Sequence, residues 1–202
     1  MKKIRILLVV LSGMFLATPA LAQTGGYVGA GFMSASTKNA DDFAVAANGP
    51  GGKGDKTATG LKVYGGYMWG RYGVEGGYYD LGTYEVKDAG GVKTDEFKTS
   101  AIAVSGVGSW PLGTSFNLNG KLGLAFTSAD YTCVLGCGGP ILVDTKKSGV
   151  SLLVGGGLGW QATKSFSVRG DLELFNNVKH AAGTESNDAS YTTFSVSAQY
   201  NF

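Results

Sequence analysis

The stretch Thr192–Phe202, TTFSVSAQYNF, alternates in side-chain polarity with a period of two. One face carries Thr192, Phe194, Val196, Ala198, Tyr200 and Phe202, and the other carries Thr193, Ser195, Ser197, Gln199 and Asn201. Because successive side chains of a β-strand point to opposite faces, this pattern predicts a strand with one apolar face and one polar face.

The same alternation recurs along the chain. It is clear in Phe116–Thr127 and in Ser165–Phe175, where charged side chains occupy the second face. It is weaker in Gly25–Ser34, Gly60–Trp69, Tyr72–Glu85, Ser100–Trp110 and Val150–Ala162. Together these segments give eight strands of about ten residues, the length that a tilted strand needs to cross a bilayer.

The connections between the strands alternate in length. Short links fall at Gly70–Arg71, Pro111–Ser115 and Thr163–Lys164, and long polar loops fall at Ala35–Thr59, Val86–Thr99, Ser128–Gly149 and Asn176–Ser190. Outer-membrane barrels have short periplasmic turns and long extracellular loops. The sequence therefore predicts an all-β, eight-stranded antiparallel up-and-down transmembrane β-barrel with both chain termini on the periplasmic side.

Aromatic side chains give a second indication. An interfacial girdle is expected from residues that flank the short turns or end the chain, namely Trp69, Tyr72, Trp110, Trp160 and Phe202. A secreted β-sandwich or lipocalin-like barrel would alternate too. A sandwich, however, buries its Trp in mid-strand and does not sort its loops by length.

The first 22 residues have the order of a signal peptide. Lys2, Lys3 and Arg5 precede the apolar stretch Ile6–Leu16, and Ala20-Leu21-Ala22 fits the cleavage rule. An uncleaved membrane anchor is the alternative, but the apolar stretch is short and Pro19 interrupts it. We expect cleavage after residue 22 and a barrel over 23–202. Removing the leader changes the formal net charge from +2 to −1, which excludes nucleic acid as a partner.

Few residues offer catalytic or metal chemistry. The chain has two Cys and one His, so we expect no zinc site, no cofactor and no enzyme. Cys133 and Cys137 are predicted to form a local disulfide in a loop, with free thiols or an intermolecular bond as alternatives. His180 is expected to be a solvated loop residue; a general base in a lipid-modifying enzyme would need partners, and Glu185, Ser186 and Asp188 follow at no suitable spacing.

Several stretches resemble the OmpA-like transmembrane family and its barrel-only relatives, the opacity, Ail and OmpX types. They are Gly65-Gly66-Tyr67, Tyr72-Gly73-Val74-Glu75-Gly76-Gly77-Tyr78, and the run from Gly149 through Gly155 and Gly156 to Arg169, Asp171, Asn176 and Asn177. Glu75, Lys121, Arg169 and Asp171 match interior charges of that family, whereas Val107 and Gly159 replace its fourth-strand Lys and sixth-strand Glu. The ending Tyr200-Asn201-Phe202 is similar to the signal that the barrel-assembly machinery reads, which implies that partner through Phe202.

Alternation places six charged residues on the inward face: Lys62, Glu75, Lys121, Arg169, Asp171 and Glu173. An eight-stranded barrel is just wide enough for side chains to fill it, so these charges need partners. We expect a lumenal charge network in which Arg169 meets Glu75 or Asp171, with Lys121 nearby. Such a network either satisfies a polar core or lines a gated narrow pore.

Two functions follow from this architecture. The first is a structural or surface-interaction role, as for a surface antigen, through the four long extracellular loops. The second is a low-conductance, porin-like channel for ions or small solutes. The predicted location is the Gram-negative outer membrane, and the predicted state is a monomer. The expected partners are membrane lipid, a host or cell-surface ligand, and lipopolysaccharide, whose phosphates suit the basic loop residues Lys38, Lys53, Lys56, Lys87, Lys93, Lys146 and Lys147.

Overall fold

A computed structural model describes residues 24–37, 53–87, 90–133, 145–182 and 185–202. The predicted signal peptide and Cys137 lie outside these residues. The described strands, in chain order, are β1 (Gly25–Thr37), β2 (Lys53–Gly54), β3 (Thr57–Trp69), β4 (Tyr72–Lys87), β5 (Lys93–Pro111), β6 (Phe116–Cys133), β7 (Thr145–Gln161), β8 (Phe166–Ala182) and β9 (Glu185–Asn201).

The sheet closes on itself. Each long strand pairs antiparallel with the next, β4 pairs β5, and β1 pairs β9 from Tyr27 opposite Asn201 to Thr37 opposite Tyr191. The two-residue β2 only extends the outer end of β4. The predicted all-β, eight-stranded antiparallel barrel is therefore confirmed, and closure pairs the backbone groups that an open sheet would expose. Among the described residues, no helix is long and apolar enough to cross a membrane.

The two faces of the barrel wall differ in polarity. In β9, Phe194 is 55% exposed and Val196 is 49% exposed, while the alternate residues Thr193 and Ser195 are fully buried. The other long strands repeat the apolar outer face, and inside they carry polar residues and glycine together with two clusters of larger apolar side chains. A wall with its apolar face outward and its polar face inward suits a barrel that is surrounded by lipid.

The strands continue beyond the outward apolar belt. On the outer surface, large apolar side chains give way to polar ones at positions such as Ser34, Asp80, Ser100, Ser128 and Asn176. Beyond this line β5 still runs to Lys93 and β8 to Ala182. The predicted boundaries of the long loops are therefore wrong, because strand residues occupy much of all four. We call the strand parts beyond the belt the outer extension.

Two irregularities change the phase of the alternation within β4 and β8. The β4–β5 register shifts between Asp80 and Gly82, where Gly82 has φ of +88°, and the β8–β9 register shifts between Phe175 and Val178. A bulge adds a residue and reverses the phase of the pattern. His180 lies beyond the second bulge, in β8 opposite Asn187, so its predicted place in a loop is wrong.

Candidate functional site

The six predicted charges meet inside the barrel. They come from four strands, with Lys62 on β3, Glu75 on β4, Lys121 on β6, and Arg169, Asp171 and Glu173 on β8, and each residue is at most 5% exposed. Strand β8 supplies half of the set, namely Arg169, Asp171 and Glu173, because every second side chain of a strand points to the same face. Closure of the sheet then brings β3, β4 and β6 to the same level.

These side chains form a closed ring in which cations and anions alternate. Lys62 Nζ lies 2.8 Å from Asp171 Oδ2 and 3.0 Å from Glu173 Oε2. Lys121 Nζ lies 2.8 Å from Glu173 Oε1 and 2.6 Å from Glu75 Oε1. Arg169 closes the circuit, with Nη1 2.8 Å from Glu75 Oε2 and Nε 2.9 Å from Asp171 Oδ1. Each cation thus contacts two anions and each anion two cations; we call this set the charge ring.

Tyrosine side chains complete the polar contacts of the charge ring. Tyr27 Oη donates to Glu75 Oε2 at 2.9 Å, and Tyr79 Oη donates to Glu173 Oε1 at 3.0 Å. The Tyr64 ring packs between two cations, 5.0 Å from Lys62 Nζ and 4.8 Å from Arg169 Cζ. Sequence reasoning did not single out these three tyrosines. The signal was present in their phase, since each falls on the inward face of its strand.

Glycines on β7 provide the space for the charge ring. A Cβ at Gly155 would lie 2.9 Å from Glu173 Cγ and 3.1 Å from Lys121 Cγ. A Cβ at Gly157 would collide with Asp171 Oδ1 at 2.3 Å. These close approaches explain the run of glycines in a strand, which otherwise costs β-propensity.

An apolar layer fills the lumen on the outer side of the charge ring. Tyr79, Leu81, Leu153, Phe175 and Val178 are each at most 1% exposed, and they belong to one packed cluster. In β8 the order from the short turns is Arg169, Asp171 and Glu173, then Phe175 and Val178. The cluster continues to Tyr84 and Tyr191, whose rings lie 5.7 Å apart within the outer extension. The lumen is therefore closed by a charged level and then by an apolar level.

On its other side the charge ring faces a cavity of about 490 Å³, which we call the vestibule. Residues of the short turns at 70–71, 112–115 and 162–165 form its rim. Arg169 and Tyr27 line the vestibule and also contact Glu75 of the charge ring. The vestibule is lined by polar side chains and by an apolar wall that includes Met68 and Val107. Val107 packs there with Tyr27 and Tyr64, and an added Cβ at Gly159 would overlap the Asn117 amide.

The remaining predicted residues lie away from the lumen. Trp69, Tyr72, Trp160 and Phe202 point outward near the short turns and are 48% to 74% exposed. Trp110 lies flat on the wall, where an added Cβ on Gly108 or Gly120 would meet its indole at 2.6 or 3.6 Å. Cys133 is the last residue of β6, and since Cys137 lies outside the described residues, the disulfide stays a prediction. The described residues hold no cluster of three His, Cys, Asp or Glu suited to a metal ion.

Comparison with known proteins adds a family and several folds. A sequence model described as the OmpA-like transmembrane domain matches residues 22–202. Among solved structures, the Neisserial surface protein A (NspA) has a TM-score of 0.61 at 15% identity, with 89% of this chain and 98% of that chain covered. Ail, the attachment invasion locus protein of Yersinia pestis, has a TM-score of 0.55 at 18% identity, covering 89% and 100%. OprG of Pseudomonas aeruginosa has a TM-score of 0.56 at 13% identity, covering 89% and 97%. A search of curated protein sequences found no match.

Proposed function

The chain belongs to the family of OmpA-like transmembrane domains and is a small outer-membrane β-barrel of that type, and on this premise we propose that it acts by surface contact through its extracellular hairpins. The barrel anchors and presents these hairpins, and its lumen carries no solute. Its partners at that surface are lipopolysaccharide and a ligand on a neighbouring or host cell. Assembly proceeds through the barrel-assembly machinery, which reads the C-terminal Phe202, and the folded protein is a monomer.

The closed lumen is the observation that carries this proposal. A conducting path would have to pass the charge ring, where each of six buried charges is already held by two opposite charges. It would then have to pass the apolar layer, where Leu81, Leu153 and Phe175 are fully buried. An apolar constriction without room for water excludes ions. Two successive barriers of different chemistry therefore favour a closed barrel over a pore.

The outer extension supports the surface role. Its inward side chains form the upper part of the apolar cluster, and Tyr84 Oη donates to the Ala35 carbonyl oxygen at 3.2 Å. Its outward side chains are polar and mostly exposed, including Ser34, Thr83 and Lys98. Strand pairing with an internal core holds the strands of the outer extension in place above the membrane. A rigid platform of this kind lowers the entropic cost of binding a partner.

A channel remains the second candidate function, because one feature favours it. The vestibule opens toward the charge ring, and Arg169 lies at the boundary between the two. In this alternative the ring exchanges partners and the apolar layer separates, which opens a narrow path for ions or small solutes. Reversing the charge at Arg169 would then change conductance.

Two measurements on the purified, refolded barrel separate these functions. The first is single-channel conductance in a planar bilayer, with Arg169→Glu beside the wild type. The second is binding of purified lipopolysaccharide and of sucrose octasulfate, the heparin analogue that occurs in a solved complex with Ail of Yersinia pestis. For the binding assay, residues 179–188 are replaced by Asn-Gly, because Val178 pairs with Ala189 and a two-residue turn fits there. The matched control replaces the short turn 163–164 by Asn-Gly.

The proposal expects a wild type without discrete conductance steps, and binding that falls when the outer hairpin is shortened but not when the short turn is replaced. The heat-dependent shift in gel mobility shows that each variant is folded. Discrete steps that change in Arg169→Glu would overturn the proposal in favour of the channel. Equal binding by the hairpin variant and the wild type would also count against the proposal. A variant shortened at 88–92 tests a second extracellular hairpin in the same way, and wild-type binding by both hairpin variants would refute the surface role.

A further inference from the structure

The charged side chains that line the vestibule are all positive. Arg71, Lys164 and Arg169 line it, and the described residues around it include no Asp or Glu. Glu75 and Asp171 belong to the charge ring above and are held there by cations. The carboxylate of the C-terminal residue Phe202 lies beside the lining residues Gly25 and Asn201, and Arg71 and Lys164 together outweigh its single negative charge. A concave surface of one sign raises the local concentration of ions of the opposite sign. The cavity therefore favours anions over cations.

Hydrogen bonds in the wall orient donors into the cavity. Gln199 Oε1 accepts from Tyr64 Oη at 3.2 Å, so its amide nitrogen donates to Asn201 Oδ1 at 2.7 Å. Asn201 Nδ2 in turn donates to Ser167 Oγ at 3.3 Å. Since a hydroxyl has one hydrogen and Ser167 accepts from Asn201, the hydrogen of Ser167 is left to donate. Ser167 is 5% exposed and lines the vestibule.

Strand β6, which is separated from β8 only by β7, and the inner end of the vestibule present donors in the same way. Asn119 Nδ2 donates to Asn117 Oδ1 at 3.1 Å, which turns the Asn117 amide nitrogen toward other acceptors. A guanidinium has five N–H donors. Arg169 directs Nε to Asp171 and Nη1 to Glu75, but its Nη2 reaches Glu75 Oε1 only at 3.5 Å. Because Arg169 is only 4% exposed, its Nη2 group can donate only to the charge ring or to a group inside the vestibule.

We propose that the vestibule is a binding site for a phosphate group that enters from the short-turn end. Donors on β6, β8 and β9 line one side of the vestibule, with Arg71 and Lys164 at its rim, and the four oxygens of a phosphate can accept from more of these groups than the two oxygens of a carboxylate can. The volume of about 490 Å³ leaves room for an organic group on the phosphate, and the apolar wall at Met68 and Val107 would contact it. The phosphate comes either from a soluble monoester or from a lipid headgroup. This site does not depend on the surface role proposed above.

Side-chain amide signals in nuclear magnetic resonance spectra test the proposal directly. The full ¹⁵N-labelled barrel is folded in maltoside micelles, which carry no phosphate, and is titrated with inorganic phosphate and with glycerol 3-phosphate at constant ionic strength. The Asn117 and Asn201 amide signals are expected to shift and to saturate in the millimolar range. Lys164→Ala should raise the Kd about tenfold through loss of a charge-assisted contact. Gln161→Glu should weaken binding at least as much, because it places a carboxylate in the wall.

Lys98→Ala is the matched control, because Lys98 is exposed on the outer part of β5, far along the strand from the vestibule. This variant should leave the Kd unchanged. Shifts that stay linear, or equal effects of Lys164→Ala and Lys98→Ala, would overturn the site. A second arm places the barrel in phosphatidylglycerol nanodiscs. If the amide signals in nanodiscs already lie at their saturated positions, the phosphate comes from a lipid headgroup. If titration proceeds as in micelles, the ligand is a soluble phosphate. If neither medium gives saturation, the proposal is wrong.

Discussion

Neutralising Glu75 should destabilise the barrel by several kcal/mol. Glu75 Oε1 lies 2.6 Å from Lys121 Nζ, and Oε2 lies 2.8 Å from Arg169 Nη1. At an effective dielectric of about 20, each contact contributes about 6 kcal/mol of attraction. Glu75→Gln loses both attractions but also removes the desolvation cost of the carboxylate and its repulsion from the other anions. Breaking a buried ion pair by removing one partner typically costs about 3–5 kcal/mol, which is the loss expected here.

The alternating order of the charge ring predicts a compensating change. Glu75→Gln leaves the interior with a net charge of +1, so adding Lys121→Met restores neutrality. The remaining charges then form an open series in which Arg169 contacts Asp171, Asp171 contacts Lys62, and Lys62 contacts Glu173. The double variant should recover about 2–3 kcal/mol relative to the sum of the single effects, a coupling typical of residues in one network.

The assay is reversible urea unfolding of the barrel in lipid vesicles, followed by tryptophan fluorescence and by gel mobility without heating. Glu85→Gln is the control, because Glu85 and Lys87 form an exposed pair 3.6 Å apart and such pairs contribute about 0–1 kcal/mol. If Glu75→Gln cost no more than Glu85→Gln, or if the two ring substitutions were additive, the ring would not be an energetically coupled unit.

Three further predictions concern single positions. Gly155→Leu should destabilise the barrel by about 1–3 kcal/mol, because the new side chain would overlap Glu173 and Lys121 in the charge ring. Gly156→Leu, on the outward face, should not destabilise it. Equal unfolding midpoints for the two variants would contradict this account of the β7 glycines. Phe175→Ala should cost about 3–5 kcal/mol by opening a cavity in the apolar layer, and planar-bilayer recording should still show no discrete conductance steps because the charge ring stays closed; conductance steps would show that the ring is not a barrier. Cys133 and Cys137 should give one disulfide in mass spectrometry of the unreduced protein, and two free thiols would contradict that pairing.

Regular alternation was enough to predict the barrel and the direction of its charged side chains. In β9 every position from Thr193 to Asn201 keeps its phase, and the inward face of β8 follows from Arg169, Asp171 and Glu173 alone. The outer ends of β5 and β9 keep their phase and were missed because their polar residues resemble a loop. The outer end of β8 was missed because the bulge near Val178 reverses its phase. An inward apolar residue beyond such a bulge has the same sequence signature as an outward one.

The pairing order of the charge ring is a different kind of property. Alternation assigns Lys62 and Lys121 to the lumen, but which carboxylates they reach depends on the stagger of β3 and β6 relative to β8 around the closed wall. The tyrosines add a second difficulty. Tyr64 and Tyr79 face inward whereas Tyr67 and Tyr78 face outward, since a tyrosine suits both a lipid interface and a buried hydrogen bond. Phase assigns each tyrosine to a face, but only the closed structure shows that Tyr64 and Tyr79 contact the charge ring.

The order of levels along the lumen explains how the two ends of the barrel can have separate functions. The apolar layer is stabilised by packing, so its stability does not depend on the charge in the vestibule below it. The charge ring is neutral as a set and makes its strong contacts within itself, so it transmits little field to the outer extension. Sequence changes in the hairpins therefore alter the upper apolar cluster without disturbing Arg169, and an anion at the vestibule meets the ring before it meets any residue of the extension. The proposed surface contact at one end and the proposed phosphate binding at the other should thus be energetically independent, which predicts that shortening residues 179–188 leaves the Kd for phosphate unchanged.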